Sequence, residues 1–297
     1  MKTRLLTAAL VLSTIACTGA VDRDTARPAA SGLRIATWNV EHLAERDGSG
    51  CRPRTEADYR ALREHADALD ADVIAFQEVE TRAAAERVFD PARYTILIEN
   101  RAGTADRGDC GRGTQRLNAQ RTGFAIRKGL RFERQPDLAE LQLGDPDLRS
   151  AVDVIVRPEG AEPVRLLSVH LKSGCNAGAE REACPVLFQQ VPVLERWIDA
   201  RAAEPVRFAV LGDFNRRLAM PGDALWREWD DASPANADLS LAAGERAARC
   251  NPRYADFIDH IVLDRRATVT ASDFAEHTYA GDALSDHCAV SVVLGAR

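Results

Sequence analysis

The chain has 297 residues, 45% of them hydrophobic and 28% charged. That is enough apolar surface to fill a core, which excludes a disordered, collagen-like or low-complexity chain. Lys plus Arg number 39 against 45 Asp plus Glu, a formal net charge of −6. A protein that blankets nucleic acid with positive charge is thereby excluded, while a local basic patch is not.

Lys2 and Arg4 precede an apolar run over residues 5–16. The run is too short for a bilayer, which needs about 20 residues. A basic start, a short apolar stretch and small residues after it read as a secretory signal over residues 1–20. Two cleavage sites compete. Thr14-Ile15-Ala16-Cys17 resembles a bacterial lipoprotein box, with Thr14 where Leu is usual, and would leave a lipid anchor on Cys17 as the only membrane contact. Thr18-Gly19-Ala20 suits an ordinary signal peptidase. Residues 21–32 read as a tether and 33–297 as one domain, expected to be a monomer. Export places the chain outside the cytoplasm: periplasmic, secreted or on the outer membrane. The six cysteines after Cys17 then read as disulfide partners. Cys175 and Cys184 flank one short loop and are expected to pair. Cys51 and Cys110 are a second candidate pair, and Cys250 and Cys288 remain, with Cys288 equally readable as a buried thiol.

In chain order the expected elements begin with an apolar strand over 33–38. A helix over 55–69 follows, where Thr55 and Asp58 form a capping pattern and Tyr59, Leu62, Ala66 and Leu69 share one face. Then come a strand over 72–76, a short helix over 81–88 and a strand over 94–98. Residues 101–121 form a long loop rich in Gly, Arg, Asp and Asn, a length that usually signals function. Strands are expected over 123–126, 151–156 and 164–170. A helix is expected over 192–202, with Pro192 in its first turn. Strands over 206–211, 257–263 and 288–293 close the chain. Strands outnumber helices, which favours two packed sheets with helices outside.

Polar residues recur where apolar strands end. Asn39 follows 35–38, Glu78 follows 73–77, and His170 ends 166–169. Asp213 and Asn215 follow 210–212, Asp259 lies within 257–262, and Asp286 and His287 precede 288–290. Each alone reads as a turn residue. Together they describe one polar pit on a rigid scaffold. Oxygen ligands from Asp, Glu and Asn suit a hard cation such as Mg²⁺, and imidazole beside carboxylate suits acid–base work. Neither a G-x-S-x-G elbow nor a P-loop is present.

The ordered set Thr37-Trp38-Asn39-Val40-Glu41, Phe76-Gln77-Glu78-Val79, Ser168-Val169-His170-Leu171-Lys172-Ser173, Gly212-Asp213-Phe214-Asn215, Ile258-Asp259-His260-Ile261 and Ser285-Asp286-His287 resembles the endonuclease/exonuclease/phosphatase family over about residues 33–295. The resemblance implies an α/β fold of four layers, α/β/β/α, with two packed mixed sheets and helices outside. It also implies metal-dependent phosphoester hydrolysis. Asn39, Glu78 and Asp286 are the implied holders of Mg²⁺, with Mn²⁺ or Ca²⁺ as substitutes. Asp213 and Asn215 would position and activate water, or hold a second metal. Asp259 would hold His287 against the scissile phosphate, and His170 would contact that phosphate from the other side. Arg149 and Arg121 are softer candidates for phosphate contacts. Gln120 stands where the deoxyribonuclease I branch has an acid, which takes a carboxylate partner from His170. Glu41 and His42 are expected to shape the site and His260 to be structural. Trp226 and Trp229 are assigned to the core.

An extracytoplasmic nuclease is the favoured reading. Arg101, Arg107, Arg112, Arg116 and Arg121 are expected to line a groove that reads duplex DNA through its phosphates. The alternative is a phosphatase or phospholipase-like phosphodiesterase acting on a lipid or small phosphate ester. A catalytically dead binding lipoprotein is the third reading, and the intact polar set counts against it.

Overall fold

The computed structural model describes residues 32–102, 108–111, 115–233, 235–280 and 284–296. The expected signal with Cys17, the tether up to residue 31, Arg107 and Arg112 lie outside the described residues. In chain order the elements are β1 (Leu33–Leu43), α1 (Glu56–Ala68), β2 (Val73–Val79), α2 (Arg82–Val88), β3 (Tyr94–Ile98), β4 (Arg121–Arg127), β5 (Arg131–Arg134), β6 (Val152–Arg157), β7 (Val164–His170), α3 (Cys184–Ala202), β8 (Arg207–Asp213), α4 (Ala224–Trp229), β9 (Ser240–Leu241), β10 (Asp259–Leu263), α5 (Arg265–Thr268), β11 (Ala271–His277) and β12 (Ala289–Leu294).

Two six-stranded sheets result, in the orders β11-β12-β1-β2-β4-β3 and β5-β6-β7-β8-β10-β9. The central pair of each sheet, β1 with β2 and β7 with β8, is parallel. The other pairs are antiparallel. Period-two alternation gives every central strand two apolar faces. Ile35, Ala75, Leu166, Leu211 and Ile261 meet in a core between the sheets. Trp38, Ile74 and Phe76 point the other way, under Tyr59 and Leu62 of α1 and Val88 of α2. Leu167, Val169 and Val210 point outward under Leu194 and Trp197 of α3 and Trp229 of α4. Three cores between four layers give the expected α/β/β/α sandwich, with Trp229 in the core and Trp226 packed partly buried against it.

Helix α1 opens on the expected capping box, with the Thr55 hydroxyl and the Asp58 carboxylate exchanging bonds with each other's backbone N–H. Helix α3 starts earlier than expected, at Cys184, and carries Pro192 in its interior. The first-turn proline is Pro185, and Pro192 sits on an exposed face where its missing N–H costs less than in a buried turn. Strands β5, β9 and β11 and helices α4 and α5 were not expected. β5 and β11 are sheet edges carrying polar, half-exposed residues. An edge strand open on one side leaves a weak apolar alternation to read. Three disulfides join Cys51 to Cys110, Cys175 to Cys184 and Cys250 to Cys288. The last pair corrects the reading of Cys288 as a buried thiol: the two residues share no loop in the sequence, and the fold brings them together. Among the described residues no helix is long and apolar enough to cross a membrane.

Candidate active site

The carboxyl ends of the two parallel pairs open at the same end of the sandwich. Asn39 pairs with Gln77 across β1 and β2, and His170 with Asp213 across β7 and β8. Asp259 enters β10 directly opposite Asp213. Asn39 shares the inward face of Ile35, and Asp213 that of Leu211, so both point into the space between the sheets. Glu78 does not follow simple alternation. It has a left-handed backbone, φ +61°, at an irregularity in the pairing between Phe76 and Val79. The irregularity lets Gln77 lie against Thr37 and Val79 return to the helix side, while Glu78 turns into the pit. Glu41 and His42 are also left-handed, φ +47° and +48°. Such strain outside glycine persists where surrounding structure holds it, commonly at functional sites.

A continuous set of contacts crosses the seam. Asn39 Nδ2 donates to Asp213 Oδ2 at 3.0 Å and reaches Glu78 Oε1 at 3.4 Å. His170 Nε2 lies 3.5 Å from Asp213 Oδ2 and 3.8 Å from Glu78 Oε1. His287 Nδ1 meets Asp259 Oδ2 at 2.7 Å, while its Nε2 lies 3.9 Å from Asp213 and 3.7 Å from Asp286. Asp286 sits at the exposed rim, its side chain 56% accessible. Asn215 gives its backbone N–H to Asp213 Oδ1 at 2.7 Å and its amide to the Leu171 carbonyl at 3.2 Å. Arg149 is buried and donates to that same carbonyl at 2.8 Å.

Charge follows from burial and neighbours. Burial alone would raise the Glu78 carboxyl, but His170, His42 and a bond from Gln120 outweigh it and hold it at about 2. Burial, with Asp259 adding like charge, pushes Asp213 up to about 7 against the pull of His287. Burial and the nearby Arg149 hold His170 well below the ordinary imidazole value. His287 is the opposite case: burial works against its proton, yet Asp259 and Asp213 hold it well above the ordinary value. The pit thus contains a neutral imidazole, an imidazolium, a committed carboxylate and a carboxyl poised near neutrality.

Sequence reasoning missed three groups that fix these side chains. Ser285 Oγ donates to the Asn39 carbonyl at 2.8 Å and accepts the His287 N–H at 3.1 Å. The Trp38 indole donates to the His287 carbonyl at 3.2 Å, and the Tyr279 hydroxyl donates to the same oxygen. Ser285 lay inside a quoted motif. Tyr279 has no local signal, because its role rests on the return of β12 beside β1. His260 is structural, as expected, with its ring bonded to the Arg216 carbonyl.

The arginine groove needs correction. Arg101 is buried and ion-paired with Glu99 at 3.0 Å, and it also bonds the Pro146 carbonyl. Arg116 pairs with Asp109 at 2.8 Å. Arg121 donates to the carbonyls of Glu80, Arg101 and Ala102. The guanidiniums of Arg101 and Arg121 are engaged in holding the loop, since buried carbonyls and a buried carboxylate need donors, while Arg116 sits in an exposed surface pair.

A cation fits the donor set of the pit. Glu78 Oε1 has only long contacts to an amide and an imidazole, and Asp259 Oδ1 is buried without a hydrogen bond. Asp213, Asp259 and His287 form a tight group, with one ligand atom of each within 4.8 Å of the others. His287 Nδ1 and Asp259 Oδ2 already bond each other there. On the Glu78 side, Oε2 takes the His42 backbone N–H at 3.0 Å, which leaves Oε1, with its long contacts, as the oxygen turned to a cation.

Two mixed sheets that deliver acids, amides and imidazoles to one shared end define a phosphoester-hydrolase type of centre. A model of the endonuclease/exonuclease/phosphatase family matches residues 36–287, and the chain belongs to that family. Its members are phosphoester hydrolases, generally dependent on divalent metal. Among solved structures the chain is similar to truncated TDP2 from Caenorhabditis elegans, 17% identical over 89% of this chain and 98% of that one, TM-score 0.60. It is similar to the AP endonuclease LMAP from Leishmania major, 15% identical over 90% and 89%, TM-score 0.58. An endonuclease/exonuclease/phosphatase from Bacteroides vulgatus is 15% identical over 90% and 100%, TM-score 0.59. No curated protein matches the sequence significantly.

Proposed function

We propose that this chain is an extracytoplasmic, divalent-metal-dependent phosphodiesterase that hydrolyses nucleic acid, most simply DNA. The observation that carries this reading is His287, bonded to Asp259 through Nδ1 and turned toward Asp213 through Nε2. Glu78, with Asn39 and Asp286, would hold Mg²⁺, which supplies a hard positive charge against the phosphate oxygens. Asp213, held by Asn39 and the Asn215 N–H, takes a proton from the attacking water. The charged His287 ring faces the developing charge and hands its Nε2 proton to the leaving oxygen. Neutral His170 offers one ring N–H to the phosphate from the second sheet, with Arg149 behind it. Arg121 holds the 101–102 backbone, so any phosphate contact from it is secondary. TDP2 and an AP endonuclease among the structural neighbours favour nucleic acid over a lipid or small phosphate ester. Three disulfides favour an oxidising compartment.

The test is a substrate panel of supercoiled DNA, RNA, sphingomyelin and a chromogenic phosphodiester, each with Mg²⁺, Mn²⁺ or Ca²⁺. Cleavage of nucleic acid that EDTA abolishes and Mg²⁺ or Mn²⁺ restores is the expected result. Full activity after dialysis into excess EDTA overturns the metal assignment, and a preference for sphingomyelin overturns the substrate.

A further inference from the structure

Beside His287 a cavity of about 270 Å³ opens against the 245–258 segment. Tyr254 stands at its wall, 53% exposed. The Arg217 guanidinium lies 5.7 Å from the centre of that ring. A second hollow shares Phe257 and Glu276 with the first and carries Arg246 and Arg249. The segment is anchored at several points. The Cys250–Cys288 disulfide ties it to the residue after His287. Glu276 accepts the backbone N–H groups of Arg249 and Cys250 at 2.9 and 2.8 Å, and Ala248 bonds the Ala255 carbonyl at 2.8 Å.

The chemistry of this surface is divided. Inside the cavity Asp256, Asp259, Asp286 and Glu276 outnumber Arg217 and His287, and Arg217 is ion-paired with Asp256 at 3.7 Å. That balance disfavours a second phosphate and leaves the walls of Tyr254 and Phe257 suited to a flat neutral ring. Outside it, Arg249 is ion-paired through Nε with Glu276 at 3.4 Å yet has a side chain 73% exposed, and Arg246 lies over the Phe274 ring, so both guanidiniums also face outward where flanking phosphates would pass. A pre-set aromatic face with cations alongside is the arrangement that holds single-stranded nucleic acid. A base inside a duplex has both faces stacked already and must be flipped out to reach Tyr254.

We propose that the 245–258 segment and the cavity beside His287 form a subsite for an unpaired nucleotide next to the scissile phosphate, with Tyr254 as the stacking platform and Arg217, Arg246 and Arg249 following the strand. This rests on the nucleic-acid reading above, and it reverses the expectation of duplex binding through phosphates.

The test uses the full chain and three fluorescent probes: a single-stranded DNA oligonucleotide, the same strand annealed to its complement, and a base-free sugar–phosphate strand of equal length. Binding is followed by anisotropy in EDTA and cleavage in Mg²⁺. The single strand should bind and react in preference to the duplex. Tyr254→Ala should weaken its binding and raise KM by about 5- to 150-fold, the loss of one stacked base, with kcat little changed. Tyr254→Phe should restore both, and the base-free strand should not distinguish the variants. A duplex preference, or Tyr254→Ala equal to wild type on the single strand, overturns the subsite. Binding of the single strand that depends on Tyr254 without any cleavage overturns the hydrolase reading and leaves the subsite standing.

Discussion

His287 and Glu78 sit in one pit yet depend on opposite surroundings. Carboxylates hold a proton on His287, whereas imidazoles and an amide hold one off Glu78. Their losses should therefore differ in kind. His287→Ala should lower kcat by about 10²–10⁴, the range for a positioned acid–base group, with metal affinity kept. Glu78→Ala should lose both. Mn²⁺ titration beside turnover checks the pair, and His287→Ala losing metal as badly as Glu78→Ala would count against the assigned roles. His65 gives a stability prediction. Its ring packs edge-on against Trp38 and Tyr279, 4.9 and 5.0 Å between centroids. Burial, aided by His277, lowers its pKa to about 4. The unfolded chain, near 6.5, then binds more protons than the folded one between those values. Stability is complete above about pH 6.5 and drains away as pH falls toward 4. His65→Leu should flatten the slope of Tm between pH 6.5 and 4 relative to wild type, and parallel slopes would exclude this role. The acids of the pit were legible in the sequence because each follows, interrupts or precedes an apolar run. The left-handed turn at Glu78 and the clamp of Trp38 and Tyr279 on the His287 carbonyl were not, since both exist only once strands are paired.

The elements legible in the sequence are those rich in buried apolar residues. Residues 94–98 and 164–170 were expected as strands with the bounds they have; 94–98 is a sheet edge, yet Tyr94, Ile96 and Leu97 are buried. The failures are the polar edges β5 and β11, the short elements β9, α4 and α5, and Pro192. Burial of Leu187, Val191, Leu194 and Ile198 along one stripe carries α3 through a residue that removes a backbone donor. Pro192→Ala restores that donor and relieves the ring against the preceding turn. Part of the gain is offset by the greater freedom of the unfolded chain. A net stabilisation of about 1–2 kcal/mol is expected from urea unfolding, with activity unchanged; a destabilised variant would show that the helix is shaped around the proline.

For the whole molecule, the pit is a place where charge accumulates on folding. Glu78, Asp213, Asp259 and Asp286 converge there, and burial, with the like charge of Asp259, drives Asp213 toward neutrality against the pull of His287. A divalent cation that binds the folded chain alone should stabilise it by about 2.7 kcal/mol at a hundredfold excess over Kd. Mn²⁺ should therefore raise Tm in wild type and raise it far less in Glu78→Ala, read by calorimetry with EDTA as the reference. An equal rise in both would place the cation elsewhere.

The place of β12 between β11 and β1 also has a meaning in time. Synthesis runs from the amino end, so Asn39 and Glu78 are made well before His287 and the strand that seats it. Until residues 289–294 exist, β1 has an open side, and no backbone carbonyl of residue 287 is held by Trp38. A nascent chain that has already made β1 and β2 therefore carries an unfinished pit until β12 is made, and His287 is seated only with that strand.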